Sequence, residues 1–335
     1  MADLRLTLAC GKYDRTRALL DGKVTPEGID LVYLPLLAAE IFWRMLRFHE
    51  FEISEMSLSN YITECCEKKP RFVAIPVFPS RMFRHGYIFI NKKSGINKAE
   101  DLKGKKVGIA QYTMTATLWI RGILQHDHGV APEYMEWYVG GKEGIGRQGK
   151  MKKDVPEKLP FQQVPPEKAL SDMLASGEID AIITPIVPES FWQKHPDVVR
   201  LWPDYREAEM DYYRRTKIFP IMHTVVVRSD IHETYPWVVQ SMYIAFNEAK
   251  QICQDEMKFV RGTSLSMLPW ASAEYDASVA LMGEDFWPYG IESNRATLEA
   301  VTQYSYEQGL CSRKLAIEEL FPENIRQVEV RKIVH

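Results

Sequence analysis

The chain has 335 residues, of which 46% are hydrophobic and 26% charged, with a formal net charge of -3. That length exceeds a comfortable single core, so two domains are expected, and the composition excludes long disorder. The near-neutral balance gives no electrostatic case for nucleic acid or an anionic membrane, while leaving room for a local basic cleft that binds a small acid.

Alternation begins at once: Leu4, Leu6 and Leu8 predict a first strand, followed by a loop at Cys10–Asp14 and a short helix over Arg15–Asp21. No basic leader precedes it and no segment has the length and apolarity of a membrane span, so a cytoplasmic location is expected. Ile29–Tyr33 reads as a second strand and Ala38–His49 as a helix with Ile41, Phe42, Met45 and Leu46 on one face. Phe51–Met56 predicts a strand, Ser57–Glu67 a helix, and Phe72–Pro76 a short strand. Residues 80–91 combine a polar loop with an apolar strand at the end. A turn at Gly104 leads to a strand from Lys105 and then an apolar helix over Ala116–Leu124. Residues 140–168, rich in Gly, Lys and Pro, read as a surface excursion. Pro166–Ser176 predicts a helix capped by Gly177, and Ile179–Thr184 a buried strand. Ile218–Arg228 carries the chain back toward the first lobe, and helices follow.

The segments Glu55-Met56-Ser57-Leu58-Ser59-Asn60-Tyr61, Arg81-Met82-Phe83-Arg84-His85, Asp101–Gly108 and Thr113-Met114-Thr115-Ala116 resemble the 4,5-dihydroxyphthalate decarboxylase family over roughly residues 3–310. The resemblance implies an α/β, two-lobed fold of the type 2 periplasmic-binding-protein kind with an interlobe ligand cleft. It implies a discontinuous first lobe at 1–91 and 220–335, with 92–219 as the second. It also implies decarboxylation of 4,5-dihydroxyphthalate to 3,4-dihydroxybenzoate in phthalate degradation and a homo-oligomer; the phenol of such a substrate is its own electron reservoir, so no cofactor is expected. A non-catalytic solute-binding protein for a small organic acid, or a decarboxylase of another hydroxylated aromatic acid, remain the alternatives.

Such a reaction needs cations or amides for carboxylates and a group that passes protons. Arg81 and Arg84 offer paired donors to a carboxylate, and His85 is the natural proton carrier beside them. His223, on the return crossing, is the second acid–base candidate, and Glu55 could orient an imidazole or accept a proton. Ser57 and Ser59 stand where a strand meets a helix; Thr113 and Thr115 stand where another helix opens. Lys12, Tyr13 and Arg121 complete the candidate substrate contacts. Each has a structural alternative: an ion pair for the arginines, a cap for the serines and threonines, packing for His85.

Other features carry less. Gly140–Gly146 lacks the ending of a phosphate-binding loop, and His126 with His128 lacks metal-site context, so no metal is expected. Five scattered cysteines, with Cys65 and Cys66 adjacent, read as free thiols.

Overall fold

The computed structural model describes residues 3–141, 156, 159, 161–259, 267–326 and 328. Gly140 and Gly141 are therefore seen, but the rest of the glycine-rich stretch lies outside the described residues. The first sheet has the order β2 (Ile29–Pro35), β1 (Leu4–Cys10), β3 (Ile53–Ser57), β11 (Ile221–Arg228), β4 (Phe72–Arg81). Its first three strands are parallel, and β11 runs antiparallel to both neighbours. The second sheet has the order β10 (Val198–Arg200), β5 (Ile88–Asn91), β9 (Ala181–Ile183), β6 (Lys106–Ile109), β7 (Glu136–Gly140), β8 (Phe161–Val164).

Side-chain alternation explains why the second sheet is covered on both faces. Ile88 and Ile90 enter one apolar cluster with Val107, Ile109 and Trp137, while Phe89 between them enters another with Tyr138, Ile182 and Leu174. The first sheet has its own core around Leu8, Ile53, Ile75 and Val225–Val227.

Four expectations change. Because β5 pairs with β9 and β10, the first crossing between lobes falls between Arg81 and Ile88, ahead of the expected boundary at 91. The strand expected to stop at Pro76 runs on to Arg81. As an edge strand with register shifts against β11, β4 tolerates Pro76 and Pro79, which cannot donate to the ladder. The excursion at 140–168 contributes an edge strand, β8, parallel to β7. The helix expected from Pro166 begins at Leu170, and Gly177 caps it at φ 80° as expected. No helix of the described residues is long and apolar enough to cross a membrane.

The cysteines differ too. Cys66 follows the helix Leu58–Cys65 and Cys311 follows the helix Arg295–Glu307. Packing brings their Cα atoms to 6.1 Å and they form a disulfide; Cys10, Cys65 and Cys253 are free. A separation of 245 residues is invisible to any spacing rule.

The lobes are joined by more than the two crossings, which themselves touch where Met82 N–H donates to the Pro220 carbonyl at 3.1 Å. The helix Thr115–His128 serves both cores: Leu118, Trp119 and Ile123 face the first, Ile120 and Leu124 the second. Trp119 Nε1 donates to the Ile221 carbonyl at 2.9 Å, fixing this helix to β11. Gly122 lies directly under the Tyr304 ring, and a Cβ there would run into it. Gly122→Ala should therefore lose about 1–3 kcal/mol in urea denaturation, although alanine normally gains about 1 kcal/mol over glycine in a helix.

Candidate functional site

Two β3 residues, Glu55 and Ser57, share a face because strand side chains alternate, and the β3–β11 register sets His223 opposite Ser57. Glu55 is fully buried. Its Oε1 accepts the Tyr13 hydroxyl at 2.6 Å and His223 Nδ1 at 2.5 Å. Its Oε2 accepts the Gly11 amide at 2.9 Å, with the Cys10 thiol at 3.7 Å. Burial acts to raise the Glu55 pKa. The charge and hydrogen bond of His223, with the Tyr13 and Gly11 donors, outweigh it and hold the carboxyl below its usual range. A carboxylate at Nδ1 leaves the imidazole's Nε2 as the nitrogen free for proton transfer. The His223 side chain is 19% exposed, and Phe42 packs edge-on against the ring at 4.9 Å.

Beside His223 lies a hydroxyl cluster that joins the lobes. Ser57 Oγ sits 2.8 Å from Thr115 Oγ1, and Ser59 Oγ sits 3.0 Å from the same atom. Ser59 Oγ donates to the Thr113 carbonyl at 2.6 Å, and its amide donates to Thr115 Oγ1 at 3.1 Å. Neither threonine caps its helix: Met114 holds the cap position without a side-chain bond. The cluster brings the first turns of Leu58–Cys65 and Thr115–His128 together.

The arginines separate. Arg84 is buried, with Nε and Nη2 on the Met222 thioether at 3.1 and 2.8 Å and Nη1 on the Pro185 carbonyl at 3.2 Å. Met222 precedes His223 in β11 and Pro185 follows β9, so this guanidinium bridges the lobes with one weak sulfur acceptor and one carbonyl. Burial pulls its pKa down to about 10. Arg81 instead binds the carbonyls of Phe219 at 3.2 Å and Pro288 at 2.7 Å, and Asn294 Oδ1, tying the return crossing to the C-terminal helices. Burial lowers it to about 9. Arg121 is fully buried on Gln308 Oε1 and the Tyr112 carbonyl, each at 2.7 Å, with its guanidinium 3.7 Å from the Tyr112 ring centre. That packing removes it from solvent and from the Glu55 group. Lys12 is exposed on the loop after β1.

His85 lies on the first crossing, where its ring packs against Trp202 and Tyr212, each at 5.2 Å. Burial, then the nearby His128 and Arg215, lower its pKa to about 4. Glu209, on the helix Tyr205–Thr216, accepts the Gly86 amide at 3.2 Å and clasps the same crossing.

Sequence reasoning missed Arg15, which packs between Tyr13 and Trp287. The Arg15 guanidinium lies 4.4 Å from the Tyr13 ring centre and 4.0 Å from that of Trp287. One signal was present: a Cβ at Gly11 would stand 2.8 Å from the Tyr13 ring, so glycine there marks an aromatic folded back on its own loop.

These features define a two-lobed binding-protein fold with a buried acid–imidazole pair at the sheet edge. Solved structures agree on the fold. The periplasmic sulfonate-binding protein SsuA of Methylobacillus flagellatus KT aligns at a TM-score of 0.56 and 16% identity, covering 97% of this chain and 93% of that one. The aliphatic sulphonate-binding SsuA of Escherichia coli aligns at 0.53 and 14%, covering 97% and 99%. No family model matches the sequence. Among curated relatives, 4,5-dihydroxyphthalate decarboxylase of Comamonas testosteroni is 36% identical over 321 residues, 96% of this chain and 97% of that protein. The enzyme of the same name from Pseudomonas putida is 41% identical over 214 residues, 64% of this chain and 83% of that protein. The chain belongs to the 4,5-dihydroxyphthalate decarboxylase family, a family of carboxy-lyases.

Glu209 generates a pH prediction. Burial raises its pKa from 4.5 to about 7, against the lowering effect of the Gly86 and His85 amides and of Arg84 and Arg200. A folded-state pKa raised above the unfolded one gives stability that is present below pH 4.5 and lost as pH rises to 7. Relative to Glu209→Gln, the wild type should lose on the order of 2 kcal/mol across that window and nothing further above it, measured by urea denaturation at each pH.

Proposed function

We propose that this chain decarboxylates 4,5-dihydroxyphthalate to 3,4-dihydroxybenzoate and carbon dioxide, with His223 transferring the proton and Glu55 holding it. The observation that carries the reading is the fully buried Glu55 carboxylate hydrogen-bonded to Nδ1 of a partly exposed imidazole. Family membership supports the substrate. In this substrate each ring hydroxyl is para to a carboxylate-bearing carbon. His223 Nε2 gives its proton to that carbon while the para oxygen feeds electrons into the ring. The carbon–carboxylate bond then breaks, its electron pair restores the aromatic ring, carbon dioxide leaves, and solvent reprotonates His223. The net step consumes one proton.

Arg84 is the carboxylate clamp in this reading, since its present partners leave a buried cation poorly satisfied. Ser57, Ser59, Thr113 and Thr115 bind the second carboxylate or a ring hydroxyl, and Lys12 adds charge at the rim. Arg81, Arg121 and His85 are packing residues. A homo-oligomeric state, which the family resemblance implies, and a cytoplasmic location belong to the same proposal.

Purified, metal-stripped protein should convert 4,5-dihydroxyphthalate to 3,4-dihydroxybenzoate, followed by chromatography. Tight binding without product would instead favour a solute-binding role. His223→Ala should lower kcat by about 10²–10⁴-fold, whereas His85→Ala should stay within about tenfold of wild type. The reverse ranking would move the chemistry to the first crossing. Arg84→Met should raise KM by about tenfold or more through loss of a charge-assisted contact.

A further inference from the structure

We propose that Tyr13 is a positioning residue that acts through Glu55 on His223, and that Arg15 and Trp287 exist in part to hold it there. The inference rests on the reading of Glu55 and His223 given above. Tyr13 O–H and His223 Nδ1–H converge on the same oxygen, Glu55 Oε1, at 2.6 and 2.5 Å. The phenol proton is therefore committed to the carboxylate and is not offered to a substrate anion.

The ring itself is fixed from several sides. Gly11 leaves room for it to fold back onto its own loop. On the far side, the Arg15 guanidinium sits between the Tyr13 and Trp287 rings at 4.4 and 4.0 Å. Arg15 and Trp287 are both anchored to β4: Arg15 Nε donates to the Pro79 carbonyl at 2.8 Å and Trp287 Nε1 to the Phe78 carbonyl at 2.9 Å. Trp287 also packs against Phe219 of the return crossing at 5.3 Å. A row of packed side chains thus runs from Phe219 on the return crossing to the carboxylate. Burial, then the Glu55 charge, pushes the Tyr13 pKa up, so the phenol stays protonated and stays a donor.

Tyr13→Phe deletes one donor and little volume. Since the Tyr13 bond lowers the Glu55 pKa, its loss lets that pKa rise and moves the acidic limb of the kcat profile to higher pH. We expect kcat to fall about 5–20-fold, KM to change less than about twofold, and the limb to move up by about half a pH unit or more. Genetically encoded 3-fluorotyrosine at position 13, a stronger donor, should retain near-wild-type kcat and move the limb the other way.

Unchanged kcat and limb in Tyr13→Phe, with His223→Ala inactive, would overturn the inference while leaving the proposed function intact. Wild-type turnover in His223→Ala would overturn the proposed function instead. Should Tyr13→Phe fail to fold by circular dichroism, the fluorotyrosine profile decides, and an unshifted limb overturns the inference.

Discussion

A carboxylate taken wholly out of water must be surrounded by donors, because an unpaired buried charge costs far more than a fold of this size can spare. Glu55 imposes that constraint on three separate pieces of the chain. The loop after β1 supplies an amide and a phenol, β11 supplies an imidazole, and β3 must place the acid where these meet. Tyr33 extends the arrangement by donating to the Gly11 carbonyl at 2.8 Å, which pins the loop at the residue whose N–H faces Glu55. The order β1-β3-β11 at the centre of the first sheet is the topology that brings these donors to one edge.

The second organising element is the helix Thr115–His128. Its N-terminal threonine is tied to Ser57 and Ser59, its middle to β11 through Trp119, and its Arg121 to Gln308 beyond the last long helix. A helix that belongs by sequence to the second lobe is thereby packed as firmly into the first. Motion between the lobes must disturb either this helix's contacts with the first lobe, at the hydroxyl cluster and at Gly122–Tyr304, or those of Ile120 and Leu124 with the second core.

Much of the fold was legible because strand alternation and helix periodicity are local. β1, β2, β11 and the helix Ala38–Phe48 stand within a few residues of where Leu4–Leu8, Ile29–Tyr33, Ile218–Arg228 and Ala38–His49 placed them. β4 was shortened because prolines end most strands, and only pairing with β11 shows that this edge tolerates them. The site was less legible. Arg81, Arg84 and His85 are neighbours in sequence, yet the chain is leaving one lobe for the other there, and their side chains diverge to Asn294, Met222 and Trp202. Glu55 and His223 are 168 residues apart and meet only through strand register, which a linear reading does not contain. Arg15 looked like an ordinary helix-start residue because nothing nearby in sequence announces Trp287.

The Cys66–Cys311 bond makes most of the polypeptide a closed ring. Its 245-residue span contains both crossings between lobes, the whole second sheet, and β4 and β11. A single proteolytic cut within that span would leave every piece covalently attached to the rest, so nicked and intact molecules would have the same mass until reduced, apart from the water added at the cut. The two lobes are thus bound to a common fate: in an oxidising medium neither can be shed from the other by one break, and in a reducing one that tether is lost without touching Glu55 or His223.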